Sequence, residues 1–186
     1  MIKAENMKIE YAKRDDIYDI AAFLNECWRT EYRNIISDDY LDTMTVEKRH
    51  NGLLAAFDEG RSDFLIARDE GRIIGVAVFG KSLTEGYGDD GEISAIYMRE
   101  DYIGKGFGHK LFTRVEQALA AKGYSHFVVD LLAGNTRAYE FYLAHGYEVV
   151  ADNTIKLGEA NYALYVMRKK NPVAGKHDKS GTTNVS

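Results

Sequence analysis

Met7, Ile9 and Tyr11 alternate with charged residues, the period-two signature of a short strand. Asp15 is placed to cap the segment that follows, in which Ile17, Ile20, Leu24, Cys27 and Trp28 recur at helical spacing. Between Thr30 and Gly60 the pattern reads as broken helix, with Ser37 and Thr45 as candidate caps and Leu53, Leu54 and Phe57 at buried positions. Residues 64–68 and 72–79 are apolar, β-branched runs joined by Asp69-Glu70-Gly71, a hairpin signature. A glycine-rich 81–91 segment then predicts an exposed loop, and 92–98 another strand. Past residues 104–108 a helix presents Leu111, Val115 and Leu119 on its inner face and stops at Gly123, where a left-handed residue is expected. Residues 126–132 are apolar through the middle, as in a strand buried on both faces. Asn135 caps a last helix that ends at Gly146, and strands at 147–151 and 162–167 complete the sheet. This order predicts a single α/β domain over residues 7–170, a mixed central β-sheet of about six to seven strands with helices on both faces.

Composition narrows the field. A chain of 186 residues suits one domain, with 1–6 and 171–186 expected to be loose ends. Asp plus Glu outnumber Lys plus Arg by 29 to 24, a net charge of −5, which argues against a nucleic-acid partner. The single cysteine, Cys27, excludes an intrachain disulfide and reads as a small buried residue, not a nucleophile. A reducing cytoplasmic setting follows, with no signal peptide or membrane span expected. The five histidines lack metal-ligand spacing, so no metal is expected.

Chemistry concentrates where the glycines do. Gly104, Lys105, Gly106, Phe107, Gly108 and His109 lie between a strand and a helix, an arrangement that aims backbone N–H groups and the positive end of a helix dipole at one point. A phosphate suits that point, because glycine permits close backbone approach and positive φ. The dinucleotide pattern GxGxxG fails: begun at Gly104 it meets His109, and begun at Gly106 it meets Leu111. The GxxxxGK[ST] pattern fails at the same two residues, so no Mg–nucleotide site is supported. The loop resembles the pyrophosphate loop of the GNAT superfamily of acyl-CoA-dependent N-acetyltransferases, with Ile103 standing where that family has Arg or Gln. A second resemblance follows in order: Asn135, Ala138, Phe141, Tyr142, Gly146 and Tyr147, on the helix after the next strand.

That resemblance implies acetyl-CoA as co-substrate. Gly104 to His109 would take the pyrophosphate, and Ile96, Tyr97 and Met98 with Asn135 and Ala138 would line the pantetheine arm. Backbone N–H groups around Ile96 to Met98 would meet the oxyanion, and Tyr142 would protonate the leaving thiolate. An alkylamine is only about 0.04 % neutral at pH 7, so a base or proton wire is required. Glu92, at the head of its strand, is the candidate base; Glu85, Asp89 and Asp90 compete for or share that role. Trp28 and Tyr32, with Tyr40, would wall an acceptor pocket beside the 81–91 loop, whose acids Glu85, Asp89 and Asp90 favour a cationic amine. The expected activity is direct transfer of acetyl to a primary amine, on a small molecule or a peptide. A non-catalytic acyl-CoA-binding module and an unrelated nucleotide-binding protein are the alternatives. Relatives of this kind often pair as homodimers.

Overall fold

The computed structural model describes residues 7–173. The expectations for residues 1–6 and for most of the C-terminal tail lie outside the described residues. Among the described residues five α-helices and seven strands follow one another in this order: β1 (Lys8–Tyr11), α1 (Ile17–Glu31), α2 (Asp38–Thr43), α3 (Val46–Asp58), β2 (Ser62–Asp69), β3 (Arg72–Lys81), β4 (Gly91–Met98), α4 (Phe107–Ala121), β5 (His126–Leu132), α5 (Thr136–Ala144), β6 (Glu148–Leu157) and β7 (Ala160–Lys170). The strands form one sheet in the spatial order β1-β2-β3-β4-β5-β7-β6. All neighbours are antiparallel except β4 and β5, which run parallel. The mixed α/β fold of one domain is as the sequence predicts.

Both sheet faces are covered. On one, α4 and α5 bury Leu111, Phe112, Val115 and Tyr142 against Phe79, Phe127 and Val129. On the other, Ile17, Ile20 and Leu24 of α1 meet Phe64, Ile66 and Val76. A third cluster, Tyr32, Ile36 and Leu41 with Leu132, Leu157 and Leu164, seats the α1–α2 connection on the C-terminal half of the sheet. Ser37 and Thr45 cap α2 and α3, accepting from the N–H of Tyr40 and of Lys48. The β2–β3 turn places Glu70 at φ 48° and Gly71 at φ 83°, and Gly123 adopts φ 89° just past α4.

Four local expectations change. Residues Arg14–Asp16 form a 3-10 turn, so Asp15 caps nothing: Asp16 instead accepts from the backbone N–H of Lys13 at 2.7 Å. The final hairpin is much longer than its apolar pattern, because β6 lies at the sheet edge with polar residues outward and takes its order from backbone pairing with β7. Asn171, expected in the tail, is buried, and its amide donates to the Tyr124 carbonyl at 2.8 Å. The 81–91 segment is pinned, with Ser82, Thr84 and Asp90 buried. Gly91 there serves close packing: a Cβ would lie 2.9 Å from both Leu119 and Tyr124 side-chain atoms.

Candidate active site

The site begins at a break in the sheet. β4 and β5 pair only at Gly91↔Phe127 and Glu92↔Val128, while β4 stays laddered to β3 as far as Gly75↔Met98. An extra residue, Ser94, interrupts the β3–β4 register between the Phe79↔Ile93 and Val78↔Ala95 pairs. Such a bulge bends and twists its strand, and here it steers β4 away from β5. Past Glu92 the β5-facing edge of β4 therefore has no strand beside it.

A cleft of about 350 Å³ fills the gap. Ile96, Tyr97 and Met98 line one side; Asn135, Ala138, Phe141 and Tyr142 of α5 line the other; Gly104, Gly106, Gly108 and His109 close one end. Gly104 and Gly106 adopt φ of 75° and 82°, and a Cβ on either would meet nothing within 4 Å. Their glycine character is set by backbone conformation and leaves the cradle open. Gly106 is the N-cap of α4, so the N–H groups of Phe107, Gly108 and His109 precede the first intrahelical bond, from Lys110 to Gly106 at 3.2 Å. Lys105 turns back to donate to the Asp101 carbonyl. Ile103 reaches the cleft as well.

Asn135 is the N-cap of α5 and accepts from the N–H of Ala138 at 3.1 Å, which leaves its amide NH₂ as a donor beside the cleft. Tyr142 is 5 % exposed, and burial pushes its phenol up from its ordinary value. Tyr97 is also raised by burial, and its hydroxyl shares a 3.0 Å hydrogen bond with that of Tyr32. Tyr32 in turn meets the Trp28 ring edge-on at 5.1 Å, so Trp28 and Tyr32 tie α1 to the split strand.

Glu92 stands at the closed end, in the last pair before the strands part, and does not itself line the cleft. One oxygen, Oε2, accepts from the Leu83 N–H at 2.8 Å, the Ser82 hydroxyl at 3.1 Å and the Thr84 hydroxyl at 3.4 Å. The three loop acids separate. Glu85 and Asp89 are exposed and make no ion pair among the described residues. Asp90 is 4 % exposed and accepts two bonds from the Arg168 guanidinium, at 2.6 and 3.0 Å. That corrects its placement with the other two in the acceptor wall: its charge faces Arg168.

Two features escaped the sequence reading. Asp130 lies two residues beyond Val128 on β5, hence on the same sheet face as Glu92 and beside the opening. Although the residue is exposed, local desolvation of its carboxyl and the Glu92 charge push it up from the ordinary value, against a hydrogen bond with Thr84. Its signal was present, as the one acid in the otherwise apolar run 127–132. Glu31 and Arg137, which line the cleft from α1 and α5, form an ion pair across it. No local pattern announces that pair, because its partners are far apart in sequence.

A second hollow, about 420 Å³, lies between α1 and the segment after β4, lined in part by Cys27, Glu26 and Arg99. There Glu26 and Arg99 pair with each other at 3.1 Å. Burial pushes the Cys27 thiol up to about 12. The cleft with the split strands is the site with chemical content.

The family model described as the acetyltransferase (GNAT) family matches residues 17–147. The chain belongs to that family. The match takes in both halves of the cleft, from Glu31 through Tyr142. An N-acetyltransferase of Bacillus subtilis strain 168 named YuaI, itself uncharacterized, is 32% identical over 150 residues, covering 80% of this chain and 84% of that protein. Among solved structures, the PaiA N-acetyltransferase of Thermoplasma acidophilum, in complex with coenzyme A, superposes with a TM-score of 0.70 at 20% identity, covering 89% of this chain and 99% of that one. The acetyltransferase YncA of Salmonella typhimurium, described as putative and solved with acetyl-CoA, gives 0.68 at 21% identity over 97% and 99%. At such identities the structural likeness establishes the fold. Family membership makes this GNAT protein an acyltransferase. Among the described residues no helix is long and apolar enough to cross a membrane.

Proposed function

We propose that the protein transfers the acetyl group of acetyl-CoA directly to a primary amine. The observation that carries this reading is the β4–β5 split, which opens a cleft from a phosphate-ready helix terminus to a buried tyrosine. The N–H groups at the start of α4 would hold the pyrophosphate, Asn135 would donate to the pantetheine arm, and the free edge of β4 at Ile96 to Met98 would supply N–H to the carbonyl oxygen as it gains charge. PaiA and YncA, solved with coenzyme A and acetyl-CoA, share this fold.

Proton management follows from the placement of the carboxylates. Glu92 lies four residues before Ile96, about 13 Å along the strand at ~3.3 Å per residue. It therefore acts through water, and Asp130, two residues beyond Val128 on β5, is a second carboxylate beside the opening. The pair draws the proton from the incoming ammonium. Tyr142, whose phenol is raised by burial, stays protonated through the neutral range and donates a hydrogen bond to the leaving sulfur. The ordinary thiol pKa of about 8.5 lies below that of the phenol, so full proton transfer is completed by the ammonium formed in the attack. No covalent acetyl-enzyme is needed, since Cys27 is outside the cleft and its thiol is protonated.

Thiol release from acetyl-CoA, measured across a panel of amines and peptides, tests the reading. Turnover with at least one primary amine is expected, and Tyr142→Phe is expected to lower kcat about tenfold or more while the Kd of acetyl-CoA stays within twofold. A protein that binds acetyl-CoA and turns over with no amine would overturn the catalytic reading. A Tyr142→Phe variant with full kcat would remove Tyr142 from it.

A further inference from the structure

Two histidines meet at the glycine-rich end of the cleft. His109, in the first turn of α4, is exposed and lines the cleft; His145 closes α5. His109 Nδ1 lies 2.8 Å from His145 Nε2, and His145 Nδ1 lies 2.7 Å from the Phe141 carbonyl oxygen. Phe141 and Phe112 pack on the His145 ring, with centroids at 4.2 and 4.5 Å, and fix its orientation.

Counting protons gives this pair a definite chemistry. A carbonyl oxygen only accepts, so His145 Nδ1 carries a proton. The contact between the rings holds a second proton, on His109 Nδ1 while the pair is neutral. His109 Nε2, which has no hydrogen-bond partner among the described residues, is the remaining position. With two protons the pair is neutral and Nε2 presents a lone pair, which repels a phosphate oxygen. With three, the pair carries one positive charge and Nε2–H donates. Whichever ring holds the central proton, donation toward the cleft requires that charge.

We infer that the His109–His145 pair is a proton-linked phosphate ligand: binding of acetyl-CoA draws one proton from solvent onto the pair, His109 Nε2–H donates to a phosphate oxygen, and His145 is the positioning residue. This rests on the reading of the cleft as the acetyl-CoA site. The other charged groups near the pair are Lys110, next to His109 in the chain, Lys105, four residues before it, and Arg137 and Glu31, which pair with each other across the cleft.

Isothermal titration of the full chain with acetyl-CoA at pH 7.5, in buffers of different ionisation enthalpy, reads proton uptake directly. More than half a proton per site is expected. His109→Gln should abolish the uptake and weaken binding roughly tenfold at pH 6, the scale of one charge-assisted hydrogen bond, with little change at pH 8.5. His145→Phe, which keeps an aromatic ring against Phe112, should flatten the pH dependence of Kd without lowering Tm. Dephospho-coenzyme A separates the phosphates: uptake that persists assigns the contact to the pyrophosphate, and uptake that disappears assigns it to the 3′-phosphate. Equal uptake in wild type and His109→Gln, or a wild-type Kd that is flat between pH 6 and 8.5, would overturn the inference. Absence of any acetyl-CoA binding would instead overturn the assignment of the cleft.

Discussion

Asp90→Asn separates structural from acceptor-facing acids in the 81–91 segment. The side chain keeps its volume and loses its charge, so of the two oxygens that accept from the Arg168 guanidinium at 2.6 and 3.0 Å only one remains, and the new NH₂ must face a donor. Removing one partner of a buried ion pair costs about 3–5 kcal/mol. Asp90 meets that condition with its side chain 6% exposed, but Arg168 is 32% exposed and recovers part of its hydration, which lowers the expectation to about 2–4 kcal/mol. A domain of this size loses roughly 2–4 °C per kcal/mol, so Tm should fall by about 5–15 °C. Differential scanning calorimetry on the wild type, Asp90→Asn, Arg168→Met and the double variant measures the loss and its coupling; the double variant should recover at least 1 kcal/mol of the summed single losses. Acceptor KM, measured well below every Tm, should stay within twofold of wild type. The companion variant Glu85→Gln/Asp89→Asn should do the reverse, leaving Tm unchanged and raising KM for cationic amines. A Tm loss under 2 °C, or a KM that rises with Asp90→Asn alone, would refute the division of roles.

Three further outcomes follow from the same geometry. Gly106→Ala forces a Cβ onto a residue at φ 82° and into the open cradle, so it should cost about 1–2 kcal/mol of stability and weaken acetyl-CoA binding tenfold or more; Gly52→Ala, in α3 with no positive φ and open space around it, should stabilise by up to about 1 kcal/mol and leave binding alone. Asp130→Asn should raise Tm slightly at pH 7, by roughly 1 °C, because the native carboxyl is pushed up and stability is lost as pH rises from the unfolded to the native pKa; the exposed side chain keeps the effect small, and at pH 3, where both states are protonated, it should vanish. The same variant should slow acetyl transfer at least tenfold, and full activity would remove Asp130 from the proton path. Cys27, with its thiol pushed up to about 12, should react with iodoacetamide at pH 8 about a thousandfold more slowly in the native protein than in urea.

Much of this architecture was legible from local pattern. Helices α1 and α4 carry their apolar stripes openly, and Gly71 and Gly123 mark a turn and a helix end by conformational need. The cleft residues Gly104, Gly106, Gly108, His109, Asn135 and Tyr142 were legible because two spaced patterns constrain one another, whereas Lys105 turns back to Asp101 and Phe107 is buried beneath the loop. What sequence hid was partnership at a distance. Asp90 looked like its neighbours Glu85 and Asp89, because nothing local distinguishes an acid that meets Arg168 across 78 positions. Asp130 was overlooked because a buried apolar strand drew attention to its core-facing members. The length of β6 was hidden because an edge strand can be ordered by its partner's backbone while its own side chains stay polar.

The two residue pairs that join β4 to β5 have a mechanical consequence. Four strands lie on one side of that junction and three on the other, so the sheet consists of two leaves sharing a very short seam. The packing of α4, the α1–α2 connection seated on Leu132, Leu157 and Leu164, and the ion pairs Glu31–Arg137 and Asp90–Arg168 also join the leaves. A ligand lodged along the opening touches both leaves at once and serves as a strut. Occupancy of the cleft should therefore stiffen the β5–β7–β6 leaf against the remainder, slowing amide exchange in strands that the ligand never contacts.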